Sequence, residues 1–354
     1  MEILVGLSGG VDSAVTAALL QARGHRVTGA AMSLWREGKY RGGGKDACFG
    51  AGEKEDIAAA GDVCRRLGIP FRVFDCSDAY EKIVLENFRR EYLAGRTPNP
   101  CVRCNSLVKF GVLPELAAAA GLAFDRFATG HYARIEAGGG RTRLFRGLDP
   151  AKDQSYFLYR LGQEQLARIL MPLGELTKGE VRELAREFSL PQHDKPDSQD
   201  FYSGDHRELL GVEDRPGPIV DAAGKTLGRH NGCWNFTIGQ RKGLGVAHPT
   251  PLYVREINPE RNEVVVGGFG AALSHRLTAA DCNWLSIPAP EEPFEAGLRV
   301  RSSGDIVPCR VAPGRDGGFA AEFPDGVLAA APGQSAVLYR GDMLLGGGVI
   351  ASAG

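Results

Sequence analysis

Ile3-Leu4-Val5-Gly6-Leu7-Ser8-Gly9-Gly10-Val11-Asp12-Ser13 opens the chain as an apolar run, a glycine-serine turn and the start of a helical stretch, Ala14–Leu20. Gly9 and Gly10 permit backbone geometry that a side chain would block. Backbone N–H groups can then converge on one concavity at the positive end of a helix. Ser8 and Ser13 add hydroxyls, and Asp12 adds a carboxylate suited to a Mg2+ shell. The turn is built to hold a polyphosphate. It contains neither Gly-Lys-Ser/Thr nor Gly-x-Gly-x-x-Gly, so it is neither a Walker loop nor a dinucleotide fingerprint.

Outward from this turn, short apolar runs alternate with helical patterns. Ile3–Leu7, Val27–Met32, Phe71–Phe74 and Phe124–Thr129 read as strands. Ser13–Ala22, Lys54–Leu67, Ala79–Leu93 and Leu107–Ala120 read as helices. Such alternation predicts a doubly wound parallel sheet covered on both faces, with ligands at the carboxyl ends of its strands. Arg36–Gly44 has no period and several glycines, and reads as a mobile loop over that edge. Thr177-Lys178-Gly179-Glu180 is a capping box that opens a further helix, to about Phe188. From about residue 205 the chain changes character: short apolar runs separated by Gly, Pro and Asp turns predict two small β-rich modules, the last barrel-like. The expected divisions are 1–204, 205–272 and 273–354.

The chain of 354 residues is 43% hydrophobic and carries a net charge of −1, as an ordinary globular protein does. There is no global attraction to nucleic acid, though a local basic face is compatible with that balance. No apolar stretch reaches membrane-spanning length and the N-terminus lacks the layout of a signal peptide, so a cytoplasmic location is expected. Eight cysteines without regular spacing argue against a disulfide scaffold.

A second segment bears chemistry: Thr97-Pro98-Asn99-Pro100-Cys101-Val102-Arg103-Cys104-Asn105. The prolines set an extended entry, and the two cysteines fall at the start of a helix. A helix N-terminus together with Arg103 is expected to lower a thiol pKa and favour thiolate. Half a zinc site, an iron–sulfur role and thiol chemistry are all compatible with Cys-x-x-Cys spacing. Arg141, Arg143 and Arg146 form a basic strand-like stretch that suits either an RNA face or a solvated sheet edge. Arg241 and Lys242 sit on the glycine-rich segment Gly239–Gly245, which suits a phosphate backbone.

Ser8-Gly9-Gly10-Val11-Asp12-Ser13 resembles the PP-loop of ATP pyrophosphatases, which cleave ATP between the α and β phosphates and adenylylate an oxygen. With it, in order, come Asn99-Pro100-x-x-x-Cys104-Asn105, Ala128–Arg134, Lys152-Asp153-Gln154-Ser155-Tyr156 and Gly239–Gly245. Together, over essentially the whole chain, they resemble the tRNA-specific 2-thiouridylase family (MnmA). The resemblance implies ATP-dependent adenylylation of O2 of the wobble uridine, U34, in tRNAs for Lys, Glu and Gln, then sulfur transfer with release of AMP. It implies ATP, Mg2+ and a sulfur donor such as a cysteine desulfurase or a relay protein, and neither DNA nor a membrane as partner. Gly6, Leu7, Ser8, Gly9, Gly10, Val11, Asp12 and Ser13 would bind ATP phosphates, Met32 the adenine, and Gly130 would complete the pocket. Asn99, Pro100 and Cys101 would contact the target base. Cys104 matches the family nucleophile. His131, Lys152, Asp153, Gln154, Arg299, Arg301 and Gln334 would touch tRNA.

The chain departs from the family pattern at two places. Tyr202 stands where a second, persulfide-carrying cysteine is common, five residues after Asp197, and Cys101 stands where many members have Asp. Either Cys101 partners Cys104 in thiol chemistry, or the two, with a third ligand such as Cys48, hold a [4Fe–4S] cluster. Cys64, Cys76, Cys233, Cys282 and Cys309 are expected in the core. Other readings are a different PP-loop ligase or amidotransferase, or a non-catalytic tRNA-binding or sulfur-carrier protein.

Overall fold

A computed structural model describes residues 1–40, 47–191, 201–202, 204–314 and 316–354. β1 (Glu2–Gly6), β2 (Arg26–Ser33), β3 (Phe71–Asp75), β4 (Arg126–Ala128) and β7 (Ile169–Leu170) form one parallel sheet in the order β3-β2-β1-β4-β7. α1 (Val11–Ala22) and α2 (Glu53–Leu67) follow β1 and β2. Ile3, Val5 and Leu7 pack with Ala17, Leu20 and Cys64 on one side of β1, while Leu4 joins Tyr80, Val108 and Phe110 in the main core. A strand whose alternate side chains are both buried must be covered on two faces. This is the doubly wound sheet expected from the sequence.

Two helical runs differ in kind from the expected plain helices. Residues Glu81–Leu85 and Cys104–Val112 are π-helical, inside runs that begin at Ser77 and Pro100. A wider turn of this sort cannot be read from a 3.6-residue period. The described part of the predicted mobile loop is also firmly held. Arg36 Nε donates to Ser77 Oγ at 3.0 Å, and the buried Tyr40 hydroxyl donates to Glu81 at 3.0 Å. Residues 41–44 of that loop lie outside the described residues, as does Asp197.

From Gly217 onward the described chain is mostly β. Gly217–Val220, Thr226–His230, Tyr253–Asn258 and Glu263–Gly267 form a four-stranded sheet. Six later strands, from Leu273–Asn283 to Met343–Ala353, close into a barrel, because the first and last pair with each other. Closure removes the open edges that an antiparallel sheet otherwise exposes. The hairpin of β5 (Ala133–Gly138) and β6 (Arg141–Arg146) extends this sheet, with Leu144 paired to Leu344. The half-buried Arg141 is held by this sheet: its guanidinium donates to the Trp284 and Leu285 carbonyls at 2.8 and 2.9 Å.

The joint between barrel and parallel sheet is polar and buried. Asp153 Oδ2 accepts from Arg299 Nη1 at 3.1 Å and from Arg146 Nε at 3.2 Å, and its other oxygen accepts from Gly147 and Ser155 N–H. Arg299 also stacks on the Tyr339 ring at 5.6 Å. Asp153 and Arg299, expected as RNA contacts, are therefore buried against each other, which corrects that expectation. The physical reason is that a buried guanidinium needs a carboxylate partner. Gln334, another expected RNA contact, donates to the Pro98 carbonyl at 3.2 Å and holds the same joint. Asp153→Ala leaves Arg299 buried without its carboxylate and should cost about 3–5 kcal/mol. Arg301→Ala, at an exposed position, should stay within about 0.5 kcal/mol. Denaturant unfolding of the two variants checks this, and equal midpoints would refute it.

Candidate active site

The turn between β1 and α1 lies against two other segments. Gly9 sits at φ +73°, and a Cβ there would stand 2.4 Å from the Asp56 carbonyl oxygen at the start of α2. A Cβ on Gly130, just after β4, would stand 2.7 Å from the Asp12 carbonyl carbon. Both positions demand glycine for close backbone approach. Gly10 is extended and supplies no side-chain cap, so no side chain competes for the first amides of α1. Ser13 Oγ accepts from Ser8 N–H at 3.2 Å and lies 3.3 Å from the Ser8 hydroxyl. The two serines close the turn on itself and hold its amides in place.

Asp12 is engaged by two residues remote in sequence. Lys178 Nζ donates to both of its carboxylate oxygens, at 2.7 and 2.8 Å, and the Tyr132 hydroxyl donates at 2.8 Å. Lys178 opens the helix Lys178–Glu187, where the expected capping box forms, and is buried. A cation at a helix N-terminus opposes the macrodipole, so the carboxylate is what stabilises it there. The sequence reading of Asp12 as a ligand for Mg2+ alone missed this pair. Its partners are 120 and 166 residues away, beyond any local pattern.

These elements surround a cavity of about 250 Å3. Its walls include Gly6, Leu7, Ser8, Asp12, Ser13, Met32 and Gly130, expected to bind ATP, and the expected nucleophile Cys104, and also His131, Gln154, Cys48, Lys109, Glu53 and Asp56. Val11 is buried in α1 beneath the turn. Gln154 and His131, expected to touch tRNA, thus face the nucleotide edge. Gln154 Oε1 accepts from Tyr132 N–H at 3.1 Å, and the His131 Nδ1 is 2.8 Å from the Thr129 hydroxyl. Burial pushes the His131 imidazole well below its ordinary range, and Lys109 pushes the same way. Its ring is therefore neutral near pH 7. Glu53 accepts from the Leu34 and Trp35 amides at 2.7 and 3.0 Å, which fixes the end of β2 beside Met32.

The thiol chemistry differs from expectation. Burial pushes the Cys104 thiol up to about 12, against a downward pull from Lys109. Cys104 lies within a π-helical stretch, one residue past the first turn, so the helix end does not outweigh desolvation. Cys101 is half-buried and is not among the residues lining this cavity. Asn99 Oδ1 accepts from Val102 N–H at 3.3 Å and caps the helix that begins at Pro100. Asn99 also lines a second cavity, with Arg96, Arg103 and Arg160, between this segment and the barrel. Among the described residues no three His, Cys, Asp or Glu side chains gather as a metal-ligand set. Cys48, Cys101 and Cys104 are thus not gathered as such a set among the described residues. Tyr202 is buried, its ring 6.1 Å from Phe49.

The remaining expected RNA contacts lie elsewhere. Arg241, Lys242 and Arg301 are exposed, and Lys152 is half-buried beside the joint. Cys64, Cys76, Cys233 and Cys309 are buried, and Cys282 is half-buried against the barrel core.

Three family profiles match in succession: a tRNA methyl transferase HUP domain over residues 1–202, a tRNA methyl transferase PRC-barrel domain over 209–268 and an aminomethyltransferase beta-barrel domain over 274–350. A tRNA-specific 2-thiouridylase MnmA of Endomicrobium trichonymphae is 47% identical, over 99% of each chain. Proteins of the same name from Geotalea uraniireducens and Chloroflexus aurantiacus are 44% and 45% identical, over 99% of this chain and 95% and 98% of theirs. At that identity over the full length, with the turn, the cavity and the barrel in place, the chain belongs to the tRNA-specific 2-thiouridylase (MnmA) family.

Proposed function

We propose that this protein is an ATP-dependent tRNA sulfurtransferase that converts the wobble uridine U34 to 2-thiouridine, with tRNAs for Lys, Glu and Gln as substrates. The single observation that carries the reading is one cavity holding both a polyphosphate turn and a cysteine. Two of the matching profiles are described by methyl transfer. A cavity built for nucleotide phosphates beside a thiol has instead the parts for activating an oxygen and replacing it with sulfur.

The O2 oxygen of uracil is a poor leaving group. Attack by O2 on the α phosphate of ATP releases pyrophosphate and makes AMP the leaving group. The amides at the start of α1 face the phosphates and stabilise the charge that develops there. Lys178 fixes the Asp12 carboxylate and adds a cation behind the turn. Asp12, Asp56 and the serine hydroxyls are hard oxygen donors that suit Mg2+, which when bound would neutralise polyphosphate charge. Neutral His131 can hydrogen-bond without adding charge. Sulfur arrives as a persulfide from a cysteine desulfurase or relay protein, and Cys104 supplies a nucleophilic thiol inside the cavity. The unit over 1–204 does this chemistry, while the modules over 205–272 and 273–354 grip the RNA with Arg241, Lys242 and Arg301 on phosphates, joined by Lys152 of the first unit. An anticodon-loop base can be splayed from its stack into such a cavity, past Asn99, Pro100 and Cys101.

The reading is tested with transcribed tRNA, ATP, Mg2+ and a persulfide donor. Pyrophosphate release should depend on tRNA, and nucleoside analysis should find 2-thiouridine; failure of both would refute the proposal. Lys178→Met should lower tRNA-dependent pyrophosphate release by about 100-fold, since it removes charge behind the phosphates; an unchanged rate would remove Lys178 from the mechanism. Cys104 should alkylate slowly at pH 7 and faster with each rise in pH toward about 12, because only the thiolate reacts. A rate that levels off by pH 8 would contradict that environment.

A further inference from the structure

Two thiols face the nucleotide cavity, and the second is Cys48, not Cys101. Cys48 and Cys104 both line it, together with Lys109 and Asp12. Cys48 is exposed, whereas Cys104 is half-buried. The position of Cys48 is fixed by its neighbour. Phe49 is buried among the rings of Trp35, Tyr80 and Tyr202, with centroids 5.0, 5.0 and 6.1 Å away, and its N–H donates to the Phe201 carbonyl at 2.9 Å. Cys48 Sγ itself lies 3.8 Å from that carbonyl. Burial raises the pKa of both thiols, and Lys109, which lines the same cavity, pulls both the other way.

We propose that Cys48 carries the sulfur and that Cys104 is its resolving partner. The inference rests on the sulfurtransferase reading above. A carrier must meet an outside donor and also reach the activated base; exposure at the cavity wall gives Cys48 both. Tyr202, which has no thiol, packs its ring under Phe49, and so places Cys48 over the segment where it lies.

The steps balance. A persulfide donor passes its outer sulfur to Cys48 and leaves as a thiol. The outer sulfur of Cys48 attacks C2 of the adenylylated uridine; the C2–O bond breaks and AMP leaves. The base is then joined to Cys48 through a disulfide. Cys104 attacks Cys48 Sγ, the S–S bond to the base breaks, and the electron pair stays on the base sulfur. The Cys104 proton ends on N3 as the thione forms. The transferred sulfur has gained two electrons and Cys48 and Cys104 have lost two as a disulfide, which an external dithiol reduces for the next turnover.

The test uses the full chain with a persulfide donor, tRNA and ATP, quenched by acid and alkylation and mapped by peptide mass spectrometry. Wild type should accumulate a Cys48–Cys104 disulfide in a single turnover without reductant. Cys104→Ser should stall with Cys48 joined to the tRNA base through a disulfide, and with tRNA left out should hold one extra sulfur on Cys48. Cys48→Ser should lose 2-thiouridine by about 100-fold or more while tRNA-dependent pyrophosphate release persists. A Cys101–Cys104 disulfide, a persulfide on Cys101, or wild-type thiolation by Cys48→Ser would overturn the proposal. If wild type releases no pyrophosphate, the functional reading fails instead, and mild chemical oxidation of the resting protein still distinguishes a Cys48–Cys104 pair from Cys101–Cys104.

Discussion

The bonds of Asp12 to Lys178 and Tyr132 join three parts of the chain that must meet for the cavity to exist. Asp12 lies in the first turn of α1, Tyr132 follows β4, and Lys178 begins a helix that packs on α1. Each partner alone is poorly placed. Lys178 is a buried cation at the wrong end of a helix, and a carboxylate next to a polyphosphate would repel it. Paired, they present a turn whose charges are balanced before ATP arrives. The glycine contacts at Gly9 and Gly130 work in the same direction, since they press backbone against backbone where a side chain would hold the segments apart.

The barrel is attached to this assembly through buried polar contacts. Asp153 receives four hydrogen bonds from the hairpin end, the following turn and the barrel. Thr97 N–H donates to the Pro332 carbonyl, and Gln334 donates to that of Pro98. The segment that leads into Asn99 and Cys101 is thus gripped by the barrel. An imperfectly paired buried charge is costly, so this joint favours one relative placement of the two parts.

Burial governs the reactivity of the cysteines. The position of Cys104 near a helix start suggested a thiolate, but its sulfur is enclosed beside Cys48 and Tyr80, and desolvation disfavours its charged form. A buried thiol that stays protonated is protected from adventitious alkylation and oxidation, which follow thiolate character. Cys48 is the more exposed residue of the two, and burial raises its thiol pKa as well.

Strand–helix alternation over the first 130 residues, the glycine turn and the capping box at Thr177 were legible because each rests on local chemistry: apolar period, φ freedom and side-chain caps. The same holds for the β-rich character of the chain beyond about residue 205. The π-helical stretches were not legible, since they share composition with ordinary helices. The RNA roles expected of Asp153 and Arg299 were misread because charge in a sequence does not say whether it is exposed. The amino-acid sequence by itself determined that a polyphosphate turn would end the first strand and that thiols would lie on the same half of the chain. Only the tertiary structure decided which two thiols line the cavity, and that Lys178 and Tyr132 would hold Asp12. Those contacts span more than a hundred residues and form only when the sheet and the aromatic cluster around Phe49 are packed.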